Sequence, residues 1–204
     1  RLEFALKRGT APPPPLNNGQ QADLLLPRTA APYYGIKNFD ELPTPFRCVA
    51  VDLRSARPVI MGDGSLSRAM RSTMSLPLVF PPVDTGDRLL VDGGAMNNIP
   101  GDIVRTMGAQ HVIAVNVGDL NDKTVINYSL IGLVMETLDA MMRANTLKAA
   151  SGADIMINVP VTEFGSLDWR RAPELVEAGY RGAEAMKDRL LPLAVSEAEW
   201  QQWR

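Results

Sequence analysis

Asp92 is the residue whose position most clearly suggests chemistry. It ends the apolar run Leu-Leu-Val at 89–91 and is followed directly by Gly93 and Gly94. An acid at the end of a buried strand can act as a general base where partial burial raises its pKa towards the working range. The two glycines leave room for a substrate or another chain segment to approach it. The alternative is that Asp92 only turns a strand into a loop.

The usual partners of a catalytic acid are scarce in this sequence. A Ser-His-Asp triad would have to use His111, the only histidine, which lies at the amino end of its predicted strand and so away from the expected site edge. A nucleophile elbow, Gly-x-Ser-x-Gly, needs two glycines four residues apart. None of the 16 glycines forms such a pair. The sequence therefore offers no elbow serine, and His111 is poorly placed to act with Asp92.

Cofactor, metal and nucleic-acid signals are also missing from the sequence. Gly62 and Gly64 are followed by Ser67 where a dinucleotide fingerprint needs a third glycine, and there is no Gly-Lys-Ser/Thr phosphate loop. A single cysteine, Cys48, and a single histidine cannot build a Cys- or His-based metal site. The net charge of −2 gives no basic footprint for nucleic acid. We therefore predict no cofactor, no metal and no nucleic-acid partner.

The elements that must position Asp92 alternate between strands and helices. Apolar runs predict strands at 46–53, 59–61, 89–92, 111–117 and 154–159, and helical patterns are found at 65–74, 100–107, 127–149, 174–190 and from 196. Near-continuous apolar strands between helices are typical of a mainly parallel sheet covered on both faces. The 204 residues fit one domain. Four prolines at 12–15 predict a mobile Pro-rich loop over 9–33.

Four segments, in order, resemble the patatin-like phospholipase family. They are LPTPFRCVAVDL (42–53), AMRSTMSLPLVFPP (69–82), LVDGGAMNNIP (90–100) and GAQHVIAV (108–115). The resemblance is strong over 40–118 and looser towards the C-terminus. It implies an α/β fold of three layers, a mainly parallel sheet with helices on both faces. Residues 1–204 would be the C-terminal portion of a single patatin-like domain that is incomplete at its N-terminal side.

The resemblance also implies a site and a reaction. In that family an elbow serine attacks lipid esters, an aspartate in Asp-Gly-Gly or Asp-Gly-Ala is its partner without a histidine, and an earlier glycine-rich loop forms the oxyanion hole. Asp92 would be the dyad aspartate, and we expect Gly93, Gly94, Asn98 and Pro77 to shape the site.

Two departures from the family pattern lie near this site. Ser72 and Thr73 stand where the family usually has Ala-Ser, and Leu78 follows Pro77 where the family usually has glycine. We expect these changes to affect packing, with Thr73 keeping a hydroxyl group. The elbow and the oxyanion loop lie N-terminal to all the matched segments in the family. Because the first residue is Arg1 and not Met, we expect that part to lie upstream.

Two functions follow from the resemblance. The first is part of a serine lipid acyl hydrolase, a phospholipase A or carboxylic ester hydrolase of lipid degradation, that is inactive without its N-terminal segment. Its substrate would be a lipid ester at a membrane or micelle surface. Its partner would be a companion segment carrying Gly-x-Ser-x-Gly, or a second copy in a homodimer. The second is a catalytically inactive patatin-like module that binds lipid or a protein.

The sequence leaves the compartment open. Residues 193–203 end in a segment with two tryptophans that resembles the end of patatin domains continuing into a secretion and outer-membrane module. A plain packing helix is the alternative. The protein would lie in the bacterial cytoplasm, or it would be secreted or associated with the outer membrane if it continues into such a module.

Overall fold

The computed structural model describes residues 19–121, 126–149, 152–165 and 168–203. It divides into two compact units, of which the first ends at Gly93 and the second begins at Gly94. The loop predicted for 9–33 lies partly outside the described residues. From Gln20 to Ala30 the chain is an α-helix, and Ala31–Tyr33 is a 3₁₀ turn, so this part of the loop prediction is wrong. No helix in the described ranges is both long and apolar enough to cross a membrane.

The first unit is built on a four-stranded antiparallel sheet with the order β2-β1-β4-β3. Its elements are α1 (Gln20–Ala30), β1 (Cys48–Asp52), β2 (Arg57–Met61), α2 (Leu66–Thr73), β3 (Val83–Asp84) and β4 (Leu89–Asp92), with 3₁₀ turns at Ala31–Tyr33 and Phe39–Glu41. All five residues of β1 are buried because β1 lies in the middle of the sheet. It pairs with β2 on one side and with β4 on the other, so the position of β4 is fixed by its pairing with β1.

Helix α2 packs against the centre of this sheet. Ser65 caps it, since its side chain accepts a hydrogen bond from the backbone N–H of Arg68. Ala69 is buried in a core with Phe39 and Cys48. Burial raises the pKa of the Cys48 thiol to about 12, so this thiol stays neutral and serves packing.

The second unit contains a two-stranded parallel sheet and most of the helices. Its elements are α3 (Gly94–Asn97), α4 (Gly101–Thr106), β5 (Ile113–Asn116), α5 (Leu130–Ala149), β6 (Ile155–Asn158), α6 (Ala172–Glu184), α7 (Lys187–Leu190) and α8 (Glu197–Trp203), with 3₁₀ turns at Trp169–Arg171 and Leu191–Leu193. Strand β5 pairs in parallel with β6, with Ile113 opposite Ile155. A small core forms where Val159 and Val161 meet Ala178 of α6.

The α/β class is confirmed, but the strand pairing differs from the expected mainly parallel sheet. Parallel pairing is confined to β5 and β6 among the described strands, and the larger sheet is antiparallel. The physical reason for the pairs β1–β2 and β3–β4 is their short connections, at 53–56 and 85–88, since parallel neighbours need a crossover of about a dozen residues or more. The apolar pattern predicted burial correctly for β1 and could not report its direction.

Strand β5 is covered on one side only by the described residues. Every second side chain along this segment is exposed: Ile113 at 45%, Val115 at 53% and Val117 at 71%. Ala114 and Asn116, which alternate with them, are buried. The continuous apolar sequence predicted cover on both sides, so one side of β5 lacks the cover that its composition leads us to expect.

Leu78 occupies a backbone conformation that suits glycine. It lies between α2 and β3 with φ of 71°, in the left-handed region where the Cβ of an L-residue crowds the following carbonyl. The resemblance predicted a departure from the family at this position, and the structure gives it a physical meaning. A glycine would adopt this conformation without that crowding.

We expect Leu78→Gly to be more stable than Leu78→Ala, which reverses the usual order of these residues. Both variants lose the same packing beyond Cβ, and only alanine keeps the crowding, so the difference should be roughly 0.5–1 kcal/mol. Urea unfolding measures it. The matched pair Leu133→Gly and Leu133→Ala in α5 should show the opposite order, because glycine weakens a helix interior. Equal or higher stability of Leu78→Ala would contradict the prediction.

Candidate active site

Asp92 is the last residue of β4, and neighbouring backbone fixes it from two directions. It pairs with Ala50 across the antiparallel ladder to β1. Its backbone N–H donates a hydrogen bond to the carbonyl oxygen of Ser75 over 3.0 Å. The residue itself is half-buried. The predicted acid therefore lies at a well-defined strand end, beside the chain that follows α2.

Gly93 is required by the close approach of β4 to β1. It is buried, and a Cβ added there would collide with the carbonyl oxygen of Val49 and lie 2.9 Å from the Val49 Cβ. The Thr73 hydroxyl donates a hydrogen bond of 2.6 Å to that same oxygen. The sequence suggested that Gly93 leaves room for a substrate or another segment. Within the described residues the space beside it is filled by β1.

Pro77 belongs to the segment that contacts Asp92. It lies two residues after Ser75, whose carbonyl accepts the Asp92 N–H, and it precedes the left-handed Leu78. The backbone N–H groups of Val79 and Phe80 both donate to the Leu76 carbonyl and close a tight turn around Pro77. The structure therefore brings Asp92, Gly93 and the turn containing Pro77 together in the first unit.

Gly94 and Asn98, the other predicted site residues, belong to the second unit. Gly94 is buried and begins α3. The Asn98 side-chain amide donates to the Thr146 hydroxyl over 2.8 Å, and Thr146 in turn donates to the Met142 carbonyl over 3.0 Å. Asn145 adds a bond of 2.5 Å to the Ala95 carbonyl. Asn98 thus ties the end of α3 to α5, a structural role that its motif did not reveal.

Asp52 is a second carboxylate in the same sheet, and its role was not predicted from the sequence. It is buried and accepts hydrogen bonds from the Ser55 hydroxyl (2.6 Å) and from the backbone N–H groups of Leu89 (3.0 Å), Arg54 (3.1 Å) and Ser55 (3.3 Å). These bonds, led by the Ser55 hydroxyl, lower the pKa of Asp52 to about 2. Asp52 is therefore held ionised, closing the turn at 53–56.

Asp52 and Asp92 lie at opposite ends of the paired strands. In the antiparallel register Asp52 faces Leu90, and Asp92 faces Ala50. The Asp52 carboxylate accepts four hydrogen bonds, and the one from the Leu89 N–H holds the first residue of β4. Of the two acids, Asp92 is the one that the motif places at the candidate site. The described residues hold no group of three or more His, Cys, Asp or Glu side chains that could bind a metal ion.

The family model for patatin-like phospholipases matches residues 5–105, a range that includes Asp92, Gly93, Gly94, Asn98 and Pro77. The chain belongs to the patatin-like phospholipase family. Residues 5–18 of the matched range lie outside the described structure. The antiparallel sheet that carries Asp92 therefore lies within the range that the family model matches.

Curated relatives from animals and yeast share this patatin-like region. Patatin-like phospholipase domain-containing protein 6 of Homo sapiens is 39% identical over 179 residues, which is 74% of this chain and 13% of that protein. Neuropathy target esterase sws of Drosophila melanogaster is 38% identical over 97 residues, 47% of this chain and 7% of that protein. Lysophospholipase NTE1 of Debaryomyces hansenii is 25% identical, over 76% of this chain and 12% of that protein. The chain spans only a small part of these relatives.

We expect Gly93→Ala to destabilise the first unit by about 1–3 kcal/mol or more, because the added methyl group must displace the backbone of β1. Thermal unfolding measures the loss. Gly179→Ala in α6 is the matched control, since an added Cβ meets nothing within 4 Å there. That control should be neutral or slightly more stable, as alanine favours helix. A Gly93→Ala protein as stable as the control would disprove the close approach.

We expect Asp52→Asn to destabilise the protein at neutral pH and to lose this effect in acid. The folded pKa of Asp52 is about 2, below the ordinary value of 3.8, so its contribution is present above about pH 4 and disappears as the pH falls through 2. Denaturant unfolding of both proteins between pH 7 and pH 2 should show the two stabilities converging. Ser55→Ala removes the strongest of these bonds and should move the convergence to higher pH. A pH-independent difference would contradict the assignment.

Proposed function

We propose that this chain supplies the aspartate of a Ser-Asp dyad in a lipid acyl hydrolase, and that the serine lies in sequence outside it. The observation that carries the proposal is the position of Asp92 at the end of β4, within a matched patatin-like segment and fixed by Ala50 and Ser75. The sequence holds no Gly-x-Ser-x-Gly. The two halves of the dyad would meet only when an upstream segment adds its elbow.

In the proposed reaction Asp92 acts as the base. Its carboxylate accepts the proton of the serine hydroxyl while the serine oxygen attacks the ester carbonyl, and the same proton passes to the departing alcohol oxygen. Water then attacks the acyl carbonyl while Asp92 takes its proton, and that proton passes to the serine oxygen as the bond between the acyl carbon and the serine oxygen breaks and the fatty acid leaves. This cycle needs no imidazole, which agrees with a single histidine, His111, that lies exposed before β5.

The substrate class in this proposal is a lipid carboxylic ester. Family membership supports it, as do the names of the relatives, which include phospholipase, esterase and lysophospholipase. We propose that such an ester is met at a membrane or micelle surface.

A companion segment is the second part of the proposal. The exposed side of β5, at Ile113, Val115 and Val117, supports it, because contiguous apolar surface on a sheet normally marks a contact site. The companion would carry the elbow and the oxyanion loop, and it would cover apolar surface that the described residues leave open. Alternatively, a second copy of the chain in a homodimer would cover the exposed side of β5.

A catalytically inactive lipid- or protein-binding module is the competing function. The observation in its favour is the absence of any elbow spacing among the glycines of this sequence. The upstream sequence decides between the two, because Gly-x-Ser-x-Gly there supports the hydrolase, and its absence from the whole protein supports the binding module.

The test is ester hydrolysis by the chain with and without its upstream segment, using lysophospholipid micelles. We expect no turnover by the chain alone, turnover by the completed protein, and a loss of about 10³–10⁴-fold in kcat for Asp92→Asn, as for other dyad and triad members. Asp84→Asn, at the end of β3 in the same sheet, is the control and should keep full activity. Hydrolysis by the chain alone that survives Asp92→Asn would sink the dyad assignment.

A further inference from the structure

Arg71 is a buried cation of α2 that the proposed reaction does not use. Its side chain is only 9% exposed. The guanidinium donates through Nε to an Asp23 carboxylate oxygen (2.9 Å), and through its two terminal nitrogens to the Ser75 hydroxyl (2.6 Å) and the Pro81 carbonyl (3.3 Å). It also lies over the Phe80 ring, 5.4 Å from the centroid. A buried charge with this many partners is fixed in one geometry.

These bonds hold both ends of one turn. Ser75 and Pro81 bound the turn that contains Pro77 and the left-handed Leu78. The planar guanidinium suits this task because it presents several donors in a fixed fork. A lysine at 71 would offer one compact ammonium group and could not reach the two ends and Asp23 together in the same geometry. Arg71 therefore clamps a backbone conformation that L-residues otherwise disfavour.

The clamped turn is bonded directly to Asp92. Ser75 is fully buried, and its hydroxyl accepts from Arg71 while donating to the Arg71 carbonyl over 2.8 Å. The Ser75 carbonyl accepts the backbone N–H of Asp92 over 3.0 Å. Ser75 thus accepts one hydrogen bond from Arg71 at its hydroxyl and another from Asp92 at its backbone carbonyl. The chain of contacts runs from Asp23 in α1 through Arg71 and Ser75 to the end of β4.

We infer that Arg71 is a positioning residue for Asp92, acting through Ser75. The catalytic consequence rests on the proposed function, since it requires Asp92 to be the base. A general base must be held to within about 0.5 Å of its productive position, because small misplacements slow proton transfer steeply. Arg71 touches neither the carboxylate's proposed partner nor the substrate in this assignment. Its effect is to hold the backbone from which the carboxylate projects.

The first arm of the test measures the link itself and does not depend on activity. Hydrogen exchange of the Asp92 amide is followed by NMR in this chain and in Arg71→Met, which keeps the apolar stem and removes the donors. We expect the Asp92 amide to exchange at least about tenfold faster in the variant, while the Val51 and Val91 amides keep their relative protection. Arg68→Met, an exposed neighbour on α2 that bonds the Asp84 carbonyl, is the control and should leave Asp92 unchanged.

Ser75→Ala keeps the test decisive if Arg71→Met does not fold. It removes the hydroxyl that Arg71 holds and leaves the other bonds of Arg71 in place. We expect it to accelerate exchange at Asp92 in the same selective way. An Asp92 amide that stays as protected as the Val51 amide in these variants would overturn the inference.

The second arm measures catalysis in the protein completed by its upstream segment. We expect Arg71→Met to lower kcat about tenfold or more with KM unchanged, since the substrate contacts remain and only the base is misplaced. In Arg71→Ala, which vacates the site, millimolar guanidinium should restore part of the lost rate, whereas ammonium should not. A variant with a loosened Asp92 amide and full kcat would overturn the positioning role. If the completed wild-type protein hydrolyses no ester, the proposed function fails, and the exchange arm still decides whether Arg71 holds Asp92.

Discussion

The pairing of β4 with β1 is the constraint on which the candidate site depends. The Val49 carbonyl of β1 is the point where three segments meet, because Thr73 donates a hydrogen bond to it and Gly93 packs against it without a Cβ. A carbonyl on a fully buried strand must find a hydrogen-bond donor, and Thr73 provides one from the end of α2. The end of α2 and the end of β4 therefore both contact the Val49 carbonyl oxygen. The position of Asp92 follows from this contact.

The environment of Asp52 identifies it as a structural carboxylate of the sheet. Asp52 accepts four hydrogen bonds, and these lower its pKa to about 2, so it is a poor proton acceptor near neutral pH. It closes the turn between β1 and β2 and holds Leu89, the first residue of β4. Asp92 closes the same strand at its other end. The ionised acid at one end thus sets the register that places the candidate acid at the other.

The sequence predicted the strand that carries Asp92 better than the sheet around it. Strand β4 was located with its observed bounds, Leu89–Asp92, because an apolar run that ends in Asp-Gly-Gly has few interpretations. The strand directions were missed because an apolar run reports burial and not orientation. Helix α1 was missed because Pro27 and the upstream prolines argue against a helix, yet the Asp23–Arg71 ion pair joins it to α2. That partner lies 48 residues away, so no local pattern reports it.

The exposed side of β5 links the fold to the proposed partner. Alternation of exposed and buried residues along a strand is normally matched by alternation of polar and apolar residues. In β5 the exposed positions are Ile113 and Val115, and the buried ones include Asn116, whose amide bonds Asn158 and the Gly118 carbonyl. The sequence is therefore apolar where the described chain leaves it open and polar where internal partners exist. Such a pattern is typical of a contact surface, because contiguous apolar surface on a sheet normally marks a place where further structure packs. In the proposed assembly, this exposed side of β5 is the surface that a companion segment or a second copy of the chain would cover.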